Sequence, residues 1–127
     1  MKALVIDDSR TMRRIVKNIL MNVGYEVFEA GDGQEALGVL ENEGGINLCC
    51  IDWNMPVMDG LTFVKKVREV GAWREITLMM VTTESEHSQI VRALAAGAHE
   101  YVIKPFTPEA IYQKMELLGL LPAEEMI

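Results

Sequence analysis

The sequence predicts an α/β fold in which a parallel sheet is covered by helices on both faces. Five short runs of apolar and β-branched residues alternate with segments whose apolar residues recur at helical spacing. The runs are apolar on both faces, as expected of strands that helices cover from both sides. Glycines and helix-capping residues stand at the joints between the two kinds of segment.

The first strand is read over residues 2–6. Beyond it, Met12, Ile15, Val16, Ile19, Leu20 and Val23 form a helical stripe. That helix starts at Asp8 or Ser9, both good N-cap types, and stops at Gly24, where a left-handed residue has no Cβ to clash. A second strand covers 25–30, Gly31-Asp32-Gly33 breaks the chain, and a short helix carries Ala36, Leu37 and Leu40 inward. Gly44-Gly45 precede a third strand over 47–51.

A third helix is expected over 60–70, with Leu61, Val64 and Val67 on one face, followed by a fourth strand over 76–81. Residues 85–96 read as a fourth helix whose Ile90, Val91, Leu94 and Ala95 repeat at helical spacing and which Gly97 closes. A fifth strand covers 100–103. Thr107-Pro108-Glu109 then opens a last helix, ending near Leu118, with an N-cap hydroxyl, a proline at N1 and an acid at the positive helix end. Right-handed crossovers turn this fivefold βα order into a flavodoxin-like (βα)5 doubly wound sheet of order 2-1-3-4-5.

Composition narrows the function. The chain of 127 residues, 50% of them apolar, suits one domain over 1–127, and the nine residues 119–127 are too few for a DNA-binding output domain. A net charge of −7 argues against nucleic acid or an anionic membrane as partner and for protein or cation partners. Only four apolar residues precede Asp7, far short of a signal or membrane segment, so a cytoplasmic location is expected. Cys49 and Cys50 lack metal-site spacing and read as two small apolar strand residues.

In a sheet of this order ligands bind beyond the carboxyl ends of the strands, at the switch point between the first and third. The residues expected there are Asp7 and Asp8, Asp52, Thr82 and Thr83, and Lys104 with Pro105. Three carboxylates in one crevice repel unless a cation neutralises them, and an all-oxygen donor set with few ligands suits Mg²⁺. Asp52 is then the candidate carboxylate nucleophile toward phosphorus, Lys104 a fixed counter-charge, Thr82 a hydroxyl donor to a phosphoryl oxygen, and Asn54 a source of a backbone carbonyl for the metal. Taken singly, each has an ordinary alternative: Asp8 as an N-cap, Asp59-Gly60 as turn chemistry, Lys104 as a solvated side chain. Those alternatives do not explain why acids, hydroxyl and lysine occupy the ends of four strands at one edge.

Across nearly the whole chain the sequence resembles the receiver domains of two-component response regulators, in particular single-domain chemotaxis regulators. The resemblance rests on Val5-Ile6-Asp7-Asp8-Ser9, Thr11-Met12-Arg13-Arg14, Asp52-Trp53-Asn54-Met55-Pro56 with Met58-Asp59-Gly60, Val81-Thr82, Ala96-Gly97-Ala98 and Tyr101-Val102-Ile103-Lys104-Pro105-Phe106. It implies that a histidine kinase phosphorylates Asp52, that Asp7, Asp8 and the Asn54 carbonyl hold Mg²⁺, and that Thr82 and Lys104 sense the phosphoryl group. It further implies that Tyr101 is the switch aromatic and that Asn54 and Glu84 tune dephosphorylation. The output face would be the fourth helix, fifth strand and fifth helix, including Tyr101, Ile103 and Lys114, with the flagellar motor switch as partner and a phosphatase as a further one. The run Glu84-Ser85-Glu86-His87 is more acidic than in well-known chemotaxis regulators, and Ser9 stands where an aromatic is often found.

Other readings fare less well. A haloacid-dehalogenase-like phosphohydrolase needs a second aspartate two residues after the nucleophile, where this chain has Asn54, and the chain has no length to spare for a substrate cap, so an enzyme acting on small molecules is not expected. A flavin module would place a phosphate against Asp7 and Asp8. A phosphate relay or sink is the rival within the receiver reading.

Overall fold

A computed structural model of the chain describes residues 1–83 and 87–121, with the side chain of His87 outside the description. Its strands are β1 (Lys2–Ile6), β2 (Glu26–Ala30), β3 (Ile46–Ile51), β4 (Thr77–Thr83) and β5 (Glu100–Lys104). Its helices are α1 (Arg10–Met21), α2 (Gly33–Asn42), α3 (Gly60–Glu69), α4 (His87–Ala96) and α5 (Pro108–Leu117). The strands are all parallel and lie in the order β2-β1-β3-β4-β5, as the sequence predicts.

Alternation along the strands divides the apolar residues into two cores. Leu4, Ile6, Cys49, Ile51, Leu78 and Met80 face α2, α3 and α4. Their immediate neighbours Val5, Cys50, Met79 and Val81 face α1 and α5. With helices on both sides, nearly every central strand position is buried, which is why the strands read as continuous apolar runs.

The capping signals are realised in the structure. Ser9, not Asp8, is the α1 N-cap, its Oγ accepting from the Met12 N–H at 3.2 Å. Asp32 and Asp59 cap α2 and α3, each accepting from the third residue beyond at 2.8 Å. Thr107 caps α5 through the Ala110 N–H. Gly24 and Gly97 do adopt the left-handed backbone, with φ of +93° and +125°.

Several expectations need correction. Among the described residues of α4, Ile90 and Ala93 are buried, while Val91 is 66% and Leu94 37% exposed and Ala95 is exposed as well. Among the helices, α4 packs chiefly on α3, so its buried strip is narrow. Ile15 of the α1 stripe is also exposed, at the margin of its face. Conversely Phe63, which falls off the predicted α3 face, is fully buried, because α3 lies between α2 and α4 and is covered from the sides. Strand β4 runs on to Thr83 and β5 to Lys104, so Thr82, Thr83 and Lys104 belong to the strands rather than lying just beyond them. A 3-10 turn at Gly71–Trp73 was not foreseen, and the predicted α4 start at Ser85 lies outside the described residues.

The end of the sheet remote from the carboxylates is tied by Arg68. Its guanidinium donates to the carbonyls of Ile76 at 2.9 Å, Gly97 at 3.1 Å, Arg74 at 3.3 Å and Trp73 at 3.4 Å. His99 Nδ1 accepts from the Leu78 N–H at 3.1 Å, and burial together with the Arg68 charge pushes the imidazole below its usual range, which suits this acceptor role.

Candidate functional site

The sheet order sets β1 beside β3, so the residues that follow these strands meet. Asp7 leaves β1 with its N–H donating to the Ala30 carbonyl at 3.1 Å, and Asp52 leaves β3 with its N–H donating to the Ile6 carbonyl at 2.9 Å. Both are buried, at 4% and 8% exposure, whereas Asp8 faces solvent. One carboxylate oxygen from each of Asp7, Asp8 and Asp52 can be chosen so that all lie within 4.8 Å of one another. Asp7 Oδ1 also accepts from the Ser9 N–H at 2.9 Å, which sets the carboxylate against the turn into α1.

Lys104 reaches this crevice from the end of β5. Its Nζ lies 3.2 Å from Asp7 Oδ2 and 3.4 Å from Asp52 Oδ1, and its side chain is only 17% exposed. Thr82 is 2% exposed and sits on β4, in register with Ile103, while Thr83 is in register with Lys104. The peptide between Lys104 and Pro105 is cis.

The loop from β3 to α3 is held close to Asp52. The Gly60 N–H donates to the Trp53 carbonyl at 2.9 Å, and a Cβ at Gly60 would collide with the Asp52 carbonyl. Within the loop Val57 takes a left-handed φ of 68° while 81% exposed, an unfavourable backbone for a β-branched residue. Asn54 is exposed in the same loop. Glu84 lies outside the described residues.

Tyr101 is half-buried on β5, and Lys114 of α5 holds its ammonium 4.9 Å from the ring centroid while pairing with Glu100 at 3.0 Å. Tyr101, Ile103, Phe106 and Lys114 line a surface cavity of about 440 Å³. Both cysteines are buried and free, and burial pushes both thiols up, Cys50 to about 12.

Sequence reasoning missed Arg13. Its Nη1 donates to the Asp7 carbonyl at 2.7 Å and its Nε lies 3.4 Å from Glu29 of β2, which Lys17 also pairs at 3.2 Å. The available signal was the spacing of Arg13 and Lys17, four apart on one helical face, opposite an acid in the neighbouring strand.

Chemically, among the described residues the metal-ligating groups that meet in the crevice are the three carboxylates, and the Lys104 ammonium is set against them. That balance fits a hard divalent cation such as Mg²⁺, which takes few carboxylates and keeps several waters.

Residues 3–116 match the family described as the response regulator receiver domain, and the chain belongs to that family, one of regulators rather than classical enzymes. It is 47% identical over 119 residues to the chemotaxis protein CheY1 of Helicobacter pylori, covering 93% of this chain and 96% of the relative. It is 45% identical over 117 residues to the chemotaxis protein CheY homolog of Campylobacter jejuni, covering 91% and 90%. Among solved structures, the Vibrio cholerae chemotaxis protein CheY4 superposes with a TM-score of 0.84 at 36% identity, covering 91% of this chain and 96% of that one.

Proposed function

We propose that the chain is a phosphorylation switch of the chemotaxis type, in which Asp52 accepts a phosphoryl group from a histidine kinase. The observation that carries this reading is the joint placement of Asp52, Asp7 and Lys104, with Asp8 close by, at the carboxyl edge of the sheet. An Asp52 oxygen attacks phosphorus, the bond from phosphorus to the donor's histidine nitrogen breaks, and the nitrogen keeps the bonding pair. Asp7, Asp8, Asp52 and the Asn54 carbonyl would hold Mg²⁺, which would supply charge neutralisation for the phosphoryl oxygens. Lys104 follows the charge from the Asp52 carboxylate to the phosphoryl group, and Thr82 donates its hydroxyl to another phosphoryl oxygen.

These contacts favour one of two states of the α4, β5 and α5 face by ~1–3 kcal/mol, with Tyr101 as the side chain that reports the change. The partner at that face is the flagellar motor switch, and the working location is the cytoplasm; among the described residues no helix is long and apolar enough to cross a membrane. Hydrolysis of the aspartyl phosphate resets the switch, with Asn54 and Glu84 setting its rate and a phosphatase able to assist. The chain acts once per phosphoryl group on itself and turns over no other substrate.

Intact mass after incubation with acetyl phosphate tests the acceptor role. A gain of one phosphoryl group that needs Mg²⁺ and is absent in Asp52→Asn is expected. Equal labelling of that variant removes Asp52 from the role.

A further inference from the structure

We infer that Arg13 is a positioning residue for the divalent-cation site, holding Asp7 in place while Glu29 holds Arg13. The inference rests on the reading of Asp7 as a metal ligand and adds a supporting shell to it. Asp7 stands just beyond β1, where the ladder has ended. Its N–H is satisfied by Ala30, and its carbonyl accepts the Arg13 guanidinium at 2.7 Å, in the short range of charge-assisted bonds. A shift of this carbonyl turns the Asp7 carboxylate with it, since both are fixed to one Cα.

Arg13 is itself anchored. Its side chain is 18% exposed, and the Glu29 carboxylate pairs with both Arg13 and Lys17. Burial opposes the charge on Glu29, yet the two cations still hold it below the usual carboxylate range, so the anchor stays ionised at neutral pH. Strand β2 is thereby linked to the crevice through one α1 side chain. The same stretch of α1 carries built-in controls. Arg10 and Arg14 line the same surface cavity as Arg13 and Glu29, but among the described residues they form no salt bridge.

Charge and position predict opposite signs, which makes the inference testable. Removing a nearby positive charge alone tightens a divalent cation held by carboxylates, whereas releasing Asp7 loosens it. The probe is Mn²⁺ titrated into the full chain, with free ion read by electron paramagnetic resonance. For Arg13→Met the dissociation constant is expected to rise by roughly tenfold, in line with outer-shell losses at other metal sites. For Arg10→Met and Arg14→Met it is expected to stay equal or fall. Arg13→Lys keeps the charge but cannot span both partners, so it is expected to weaken binding by a factor of about three or more at constant charge, with the fold checked by circular dichroism.

Arg13 variants that bind Mn²⁺ as tightly as the Arg10 and Arg14 variants overturn the inference while leaving the metal reading intact. A wild type that binds no Mn²⁺ overturns both.

Discussion

The Lys104 ammonium lies 3.4 Å from Asp52 Oδ1 and 3.2 Å from Asp7 Oδ2, within pairing distance of both buried carboxylates. It stands where a divalent ion's charge is also needed. For Lys104→Met, stability without divalent ions is expected to drop by ~2–4 kcal/mol, because a buried like-charge pair loses its counter-charge. Mg²⁺ should restore most of that loss and stabilise the variant more than the wild type. Urea unfolding in EDTA and in Mg²⁺ measures both effects, and equal Mg²⁺ responses in the two proteins would contradict the expectation.

Two glycines with different surroundings make a matched pair. A Cβ at Gly60 meets the Asp52 backbone carbonyl, which cannot move without moving the acceptor, whereas one at Gly38 within α2 meets nothing within 4 Å. Gly60→Ala is therefore expected to cost ~2 kcal/mol or more. Gly38→Ala should gain ~0.5–1 kcal/mol from helix propensity. Thermal midpoints should move in opposite directions.

Val57 holds a left-handed backbone that costs an L-residue roughly 1–2 kcal/mol. Its side chain is 81% exposed, so little packing is lost on replacement. Val57→Asn is expected to raise stability by about 1 kcal/mol, seen as a higher urea midpoint at constant m-value, because asparagine tolerates this conformation. An unchanged or lower midpoint would show that the loop is not strained there.

Tyr25 contributes to the alkaline limit of the fold, beside the two buried thiols. Its hydroxyl donates to the Leu120 carbonyl at 2.6 Å, and burial, aided by Cys50, pushes the phenol up to about 12. A phenol with a higher pKa folded than unfolded adds stability that is complete below its unfolded value of ~10 and disappears as pH rises through the folded one. Tyr25→Phe should cost ~1–2 kcal/mol at neutral pH by leaving the Leu120 carbonyl unpaired. Between pH 10 and 12 the wild type should lose stability more steeply than the variant, as urea midpoints across that range would record.

Local signals carried most of the architecture. Ser9, Asp32, Asp59 and Thr107 were legible as turn or helix-start residues because capping depends on a few neighbours in sequence. The strand order followed from chain order and handedness, and with it the meeting of Asp7, Asp8 and Asp52 at one edge. Burial on α4 and of Phe63 was not legible, since it depends on which helices flank which, a property of the assembled layers. The link from Arg13 to Asp7 escaped for a related reason: it runs through a backbone carbonyl, and carbonyls leave no mark in a sequence.

The alternation that sends Cys49 and Cys50 to opposite faces of β3 has a practical side. Each sulfur is enclosed in a separate core, with its proton held far above neutral pH, so neither offers thiolate to an alkylating dye. A cysteine introduced at an exposed position such as Leu117 would then be the reactive one, and the native chain can carry a site-specific fluorophore without first being stripped of its own thiols.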